Sequence, residues 1–343
     1  MARIALDAMG GDHAPGALVA GALSALGELP AAHRIQLVGV SPVIQQTLDA
    51  LIAGEYAAFA GHLTRLEIIP ASDVIDMSEK PSAVLRGKPN SSMHVGLRLQ
   101  PDGRSDAFVS AGNTGAQMAV SSLILRLHAG VSRPAISTVF PTAYRPVVVL
   151  DSGANVDCSA EELVQFARLG SVYAEDLLGR TNPVVGLLSI GEESEKGNAH
   201  VKEAHQQLLK SGLNFQGNVE GRDLPRGVSD RGPFDVVVCD GFTGNVLLKF
   251  YEAVAPFLFG LAARHAGLSL EQIAGAFKEL DYSEHGGAPL LGVRGVSIIA
   301  HGKSDARAIK NAVKVGIRAV ESGMNEHIGR RLSNATSAGA DAA

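Results

Sequence analysis

Cysteine is nearly missing from this chain of 343 residues, and tryptophan is absent. The two thiols, Cys158 and Cys239, are too few for a disulfide framework and stand in neither a CxxC nor a Cys/His metal spacing. A reducing, cytoplasmic setting is the expectation. Uninterrupted apolar runs of about 18 residues are missing as well, so no membrane-spanning helix is expected. Residues 1–12 are broken by Arg3 and Asp7, unlike the basic and apolar regions of a signal peptide. Positive charge is not in excess, because 30 Lys and Arg stand against 35 Asp and Glu for a formal charge of −5. That excludes a protein that grips nucleic acid mainly by neutralising phosphates. Charged residues make up only 19% and mean hydropathy is +0.14, which excludes a largely disordered chain.

Several motifs are absent too. Neither GxGxxG nor GxxxxGK[ST] stands at a strand-to-helix junction, so nothing supports a dinucleotide site or a Walker loop. There is no HExxH, EF-hand signature or clear His/Cys array, and the 11 histidines are scattered. No metal and no cofactor are expected.

Apolar residues make up 46% of the sequence. Its 39 glycines are about 11% of the chain, against a usual share of about 7%. Short β-branched runs at residues 3–9, 34–40, 66–70, 107–110, 146–150, 184–190, 234–239 and 296–301 read as strands, with helical periodicity between them. Runs such as Val147-Val148-Val149-Leu150 and Val236-Val237-Val238 are apolar at successive positions, as strands covered on both faces require. Ser41-Pro42, Ser159 with Glu162, and Ser269 with Gln272 supply helix-start signals. The expected fold is α/β, three-layered around a mostly parallel sheet. One large body spans 1–332, with a helical protrusion at about 245–282 and a flexible tail at 333–343. Within the protrusion, residues 254–263 are unusually apolar, which suits a core or dimer contact, or a membrane surface.

The polar loops fall where predicted strands end. Residues 7–15 join the first strand to a helix and carry Gly10-Gly11, which alone is equally a tight turn. Ser110-Ala111-Gly112-Asn113-Thr114-Gly115 joins permissive glycines to amide and hydroxyl groups just before a helix, where exposed N–H groups suit an anion. The pattern returns at Asp240-Gly241-Phe242-Thr243-Gly244-Asn245, with Lys249 one turn further on. Between them lie Asp151–Asn155 and the charged loop 191–198, in which Lys196 can neutralise a phosphate and Glu192 can orient it or restrain Lys196. A solvated charge cluster explains that last loop nearly as well. Residues 80–82 and 87–92 add a basic, hydroxyl-rich stretch that exposed turns also explain. His301, before Gly302-Lys303, is either a ligand contact or a helix-entry histidine. The expectation is that these strand-end loops converge on one pocket.

Taken in order, DAMGGDHAP at 7–15, SAGNTGA at 110–116, LDSGAN at 150–155, SIGEESEKGN at 189–198, GNVEGRD at 217–223, CDGFTGNVLLK at 239–249, GGAPLLGVRG at 286–295 and HGKSDARAIKNAV at 301–313 resemble the PlsX family. The blocks cover residues 3–325. The resemblance implies a phosphate acyltransferase that moves a long fatty acyl group from acyl carrier protein to inorganic phosphate, giving acyl phosphate for phospholipid synthesis. It also implies a homodimer with an isocitrate/isopropylmalate dehydrogenase-like fold. Peripheral membrane contact and a downstream acyl-phosphate acyltransferase are further expected partners. Phosphate itself would attack the thioester, so no Ser or Cys nucleophile is needed, and both thiols are read as packed. Asn113, Lys196 and Asn245 are the expected catalytic residues. Gly112, Thr114, Gly115, Asn155, Glu192, Asp240, Thr243, Gly244, Lys249 and His301 are expected to bind substrate, with Asp240 more suited to orienting its loop than to touching an anion. An oxidoreductase on the same fold, or a non-catalytic scaffold for lipid-pathway partners, are the competing classes.

Overall fold

The computed structural model describes residues 1–266 and 286–340. The chain divides into two compact units, Met1–Gly130 with Gly286–Ala343, and Val131–His285, where the sequence suggested one body.

In the first unit the strands lie in the order Leu66–Pro70, Arg34–Gly39, Arg3–Asp7, Ala107–Ser110, Ser297–Ile299, Ala288–Leu291. Neighbours are parallel except the last pair, which is antiparallel. Leu6 stands beside Leu37 on one side and Val109 on the other, all fully buried. Every residue of Ala107–Ser110 is buried, as a strand covered on both faces must be. Two helix pairs supply the cover: Gly16–Glu28 with Ala306–Glu321, and Ser92–Arg98 with Thr114–Ile124. Helix Ala306–Glu321 begins where the Asp305 side chain accepts the Ala308 N–H, and buries a stripe including Ile309, Ala312, Val313 and Ile317.

The second unit has a five-stranded sheet, in the order Thr138–Phe140, Val147–Leu150, Val236–Val238, Val185–Ser189, Phe215–Glu220. Only the first pair is antiparallel. Helix Ala160–Leu178 starts in the expected capping box of Ser159 and Glu162, stops at Gly179 in the left-handed region (φ 65°), and lies on the two Val-rich strands. Its Gly170 lets it sit close: a Cβ there would fall 2.6 Å from Val236 Cγ1 and 2.7 Å from Leu150 Cδ2. The 26-residue helix Gly241–Ala266 packs Leu247, Leu248 and Tyr251 on a core that includes Phe140, Val149 and Val237.

The apolar runs read as strands are all strands, each trimmed by no more than a few residues at its ends. Thr138–Phe140, Phe215–Glu220 and Ala288–Leu291 were not foreseen. They lie at or next to sheet edges, where a strand tolerates Gly217 (φ 110°) or Pro289 and loses the apolar signature. The helix after Val40 begins at Ser41 itself, one residue earlier than the Ser41 cap would place it. Helix Met324–Ala340 continues through most of the segment read as tail. The rest of the expected protrusion, 267–282 with the Ser269/Gln272 cap, and residues 341–343 lie outside the described residues. Among the described residues no helix is long and apolar enough to cross a membrane.

Gly170→Ala should lower stability by about 1–3 kcal/mol, because Val236 and Leu150 have no room to yield. A lower urea midpoint with unchanged slope is the expected result, and an unchanged midpoint would contradict this packing.

Candidate active site

In the first unit, the parallel strands Arg3–Asp7, Ala107–Ser110 and Ser297–Ile299 deliver three polar loops to one sheet edge. Asp7, only 2% exposed, ends the first strand and accepts the Met9 N–H at 3.1 Å and the Ser110 hydroxyl at 2.7 Å. Burial pushes its carboxyl above the usual range, against hydrogen bonds from Ser92, Ser110, Met9 and Gly10 that oppose the shift. Ser110 Oγ in turn accepts the Gly112 N–H at 3.0 Å. Gly10 fits between these groups because it lacks a Cβ, which would lie 2.7 Å from Asp7 Oδ2 and 2.8 Å from the Gly112 nitrogen. The His301 loop joins the cluster through Asp12 N–H to the Gly302 carbonyl, 2.8 Å, while His301 Nδ1 accepts the Lys303 N–H.

Asn113 is used within the fold. Its side-chain oxygen caps helix Thr114–Ile124 by accepting the Ala116 N–H, and its Nδ2 donates to the carbonyls of Met77 and Glu79 at 3.0 and 2.9 Å. The next two N–H groups, of Thr114 and Gly115, have no acceptor among the described residues and point out of the helix start. They are the donors this loop offers to negative charge.

In the second unit, strands Val147–Leu150, Val236–Val238 and Val185–Ser189 again release their loops at one edge. Fully buried Asp151 gathers the first loop, accepting N–H groups of Ile136, Gly153, Ala154 and Asn155, and the Asn155 side-chain amide at 2.9 Å. Burial raises its carboxyl above the usual range despite those donors. The Asn155 amide also donates to the Pro134 carbonyl at 2.8 Å, so its amide nitrogen is engaged within the fold. Gly241 and Gly244 press against the same loop. A Cβ on Gly241 would reach Asp151 Oδ2 and the Asn155 backbone, and one on Gly244 would land on the Asp151 carbonyl oxygen.

Asp240 takes the Thr243 N–H at 2.8 Å and the Thr243 hydroxyl at 3.0 Å, so Asp240 and Thr243 satisfy each other. Lys249 is paired with Glu252 at 2.8 Å. Asn245, exposed, has its side chain against Gly153 and its amide unbonded among the described residues. Lys196 is exposed, and its stem lies across Gly191, where a Cβ would be 2.8 Å from Lys196 Cγ. No carboxylate among the described residues pairs with it, Glu192 included. Glu192 instead stands with Glu220 and Asp223, their carboxylate oxygens within 4.8 Å of one another, and Arg222 and Arg226 balance that cluster.

The expected site residues therefore fall into two groups. Gly112, Asn113, Thr114, Gly115 and His301 lie at the first unit's loop edge, and Asn155, Glu192, Lys196, Asp240, Thr243, Gly244, Asn245 and Lys249 at the second's. The pattern of Gly, Asn and Thr did not single out Asp7 and Asp151, which organise both edges. The available signal was an acidic residue closing an apolar strand just before a Gly-bearing loop.

Neither thiol is poised to react. Burial pushes Cys158 up to about 12 and Cys239 well above the usual thiol range. Ser91 Oγ lies 2.9 Å from His94 Nδ1, yet the two residues are 0% and 2% exposed, out of reach of a substrate carbonyl.

A family model described as fatty acid synthesis protein matches residues 2–327. Phosphate acyltransferases of Desulforamulus reducens and Nostoc punctiforme are 49% and 46% identical, over 97% and 95% of this chain and 98% and 95% of their own. A phosphotransacetylase from Streptococcus pyogenes superposes with a TM-score of 0.61 at 18% identity over 94% of each chain, and one from Staphylococcus aureus with 0.58 at 17% over the same share of each, which shows the fold. The comparisons define an acyltransferase built on mostly parallel α/β sheets. The chain belongs to the PlsX family of phosphate acyltransferases, which serves fatty acid and phospholipid synthesis.

Gly244→Ala should lower kcat/KM on the order of a hundredfold, since the displaced loop carries Asn245, whereas Gly61→Ala, with no atom within 4 Å, should change little. Steady-state assays of both proteins, with far-ultraviolet circular dichroism to check folding, decide this. A second expectation concerns pH. A carboxyl raised in the folded state adds stability below its unfolded value, about pH 4, and loses it as pH rises through the folded value. The destabilisation caused by Asp151→Asn should therefore shrink as pH rises above about 4. A cost that grows with pH in paired urea titrations would reverse the reading of Asp151.

Proposed function

We propose that the protein transfers a long-chain fatty acyl group from acyl carrier protein to inorganic phosphate, giving acyl phosphate for phospholipid synthesis. The observation that carries this reading is which groups are left over. Thiols and the Ser91–His94 pair are withdrawn from substrate, while, among the described residues, the Thr114 and Gly115 N–H groups of the first unit and the Lys196 ammonium and Asn245 amide of the second stay unengaged at strand-end loops. Loop groups suited to anions, with the thiols and the Ser91–His94 pair withdrawn, suit a reaction whose nucleophile is the anion.

A phosphate oxygen attacks the thioester carbon, forming a C–O bond and an oxyanion. The oxyanion collapses, the C–S bond breaks, and the carrier leaves as a thiolate. A thiolate departs more readily than an alkoxide, which reduces the demand for an enzyme acid. Lys196 supplies positive charge to the phosphate, and Asn245 an amide donor for developing negative charge. Thr114 and Gly115 supply helix-terminal N–H donors. Asn113, Asn155, Asp240 and Thr243 act as positioning residues, and Gly112 and Gly244 admit close backbone approach. Glu192, Lys249 and His301 border the loops. The acidic carrier calls for a local basic surface, because the whole chain is itself negative. The same reading takes the protein as a cytoplasmic homodimer of isocitrate/isopropylmalate dehydrogenase-like fold that touches the membrane peripherally and hands acyl phosphate to a downstream acyltransferase.

Incubation with long-chain acyl carrier protein and phosphate should release carrier thiol and acyl phosphate in equal amounts, with neither formed when phosphate is omitted. Cys158→Ser and Cys239→Ser should retain the activity, and Lys196→Ala should raise the phosphate KM by tenfold or more. A folded Cys variant that binds both substrates without turnover would sink direct displacement.

A further inference from the structure

The edge strand Phe215–Glu220 carries a fully buried asparagine, Asn218. An amide away from water must find partners for both its ends. Its Nδ2 donates to the Glu193 carbonyl at 2.8 Å, and its Oδ1 lies 2.8 Å from His205 Nδ1. With the nitrogen committed to a carbonyl, the oxygen accepts from His205, so the imidazole carries its proton on Nδ1. His205, 5% exposed, comes from helix Ala199–Leu209 and stands edge to face on Phe215 at 5.1 Å. The Glu193 carbonyl takes a second donor, the Lys196 N–H at 3.0 Å, which closes the turn 193–196. One oxygen therefore joins the buried asparagine to the backbone of Lys196. The preceding carbonyl, of Glu192, accepts Arg231 Nη2 at 3.1 Å, while Nη1 donates to the Gln216 carbonyl at 2.7 Å. Gly217 opens the way for Arg231, since a Cβ there would fall on Nη1.

Glu193, Glu195, Lys196 and Asn198 of this loop are exposed, and exposed charged loops are ordinarily the mobile parts of a domain. Here two consecutive carbonyls are gripped from the neighbouring strand and its hairpin, one of them by a buried pair of polar side chains that is costly unless fully bonded. What this anchoring fixes is the turn that carries Lys196. We infer that Asn218, held by His205, is a positioning residue for Lys196: it sets the carbonyl that orients the Lys196 backbone, and so the place from which the ammonium reaches out. The inference rests on the reading of Lys196 as the cation that meets phosphate. Neither Asn218 nor His205 touches a reacting atom. A lysine side chain has four rotatable bonds, so its charge is well placed only when its backbone is fixed and its stem is braced, as it is across Gly191.

The test uses the full chain in steady-state assays that vary phosphate and acyl donor separately. A change that only weakens the fold removes active molecules, which lowers the apparent kcat and leaves KM alone. Asn218→Ala should instead raise the phosphate KM about tenfold, with the donor KM and kcat within about twofold of wild type. Added to Lys196→Ala, it should raise the phosphate KM no further, because the charge it places is already gone. His205→Leu should behave as Asn218→Ala does, and carries the same test if Asn218→Ala does not fold. His205→Asn, whose amide nitrogen stands where Nδ1 stood, should return the phosphate KM to within about threefold of wild type. A lowered kcat with an unchanged phosphate KM would overturn the inference, and so would a further tenfold rise on the Lys196→Ala background. Equal behaviour of the two His205 variants would remove His205 from it. Hydrogen exchange separates this claim from the proposed function. If Lys196→Ala leaves the phosphate KM unchanged, the reading of Lys196 fails, yet the amides of 193–196 should still exchange about tenfold faster in Asn218→Ala, with helix Ala160–Leu178 unaltered. Unchanged exchange of 193–196 rejects the positioning role.

Discussion

A carboxylate sealed from water must draw its hydrogen bonds from the chain around it, and Asp151 does so from the loop it begins. The amides of Gly153, Ala154 and Asn155 turn inward to it, joined by Ile136 and the Asn155 side chain. Leaving such a group unmet costs more than a hydrogen bond is worth, so the loop has one low-energy shape. That shape is the surface against which Gly241 and Gly244 close, and only residues without a Cβ can approach so near. The start of helix Gly241–Ala266 is set by this contact, and with it the placement of Asn245.

The first unit uses the same physics with different partners. Asp7 draws on Met9, Gly10, Ser92 and Ser110, and Gly10 and Gly112 fit where a Cβ would strike this network. In both units a parallel sheet delivers neighbouring strand ends to one edge, which is where such folds place ligand loops. The buried acids consume amides to rigidify the loops, and among the described residues of these loops the donors left over include the N–H groups of Thr114 and Gly115, the Asn245 amide and the Lys196 ammonium. Rigid loops with few uncommitted donors suit stabilisation of charge that appears only during reaction, since no group must reorganise as it develops.

Much of this was legible in the sequence. Val147–Leu150 and Val236–Val238 announce themselves as doubly covered strands because burial on both faces removes polar residues from every position. The Ser159/Glu162 cap is local chemistry within four residues and forms as written. Phe215–Glu220 was not legible, since an edge strand with an inward Asn218 and a left-handed Gly217 has no clear period. The partners of Asn113 were not legible for a related reason. Its residue type suits an anion loop, but Met77 and Glu79, more than 30 positions earlier in the chain, take its amide.

The sequence by itself determined the alternating strands and helices, the polar strand-end loops and the family, because apolar periodicity, capping and motif order are properties of neighbouring residues. Tertiary structure alone decided the division into two units, the burial of Asp7 and Asp151, and which of the Asn, Thr and Lys side chains are left for a substrate. A hydrogen-bonding group is claimed by whatever partner the fold brings within about 3 Å, and that partner is commonly far away along the chain.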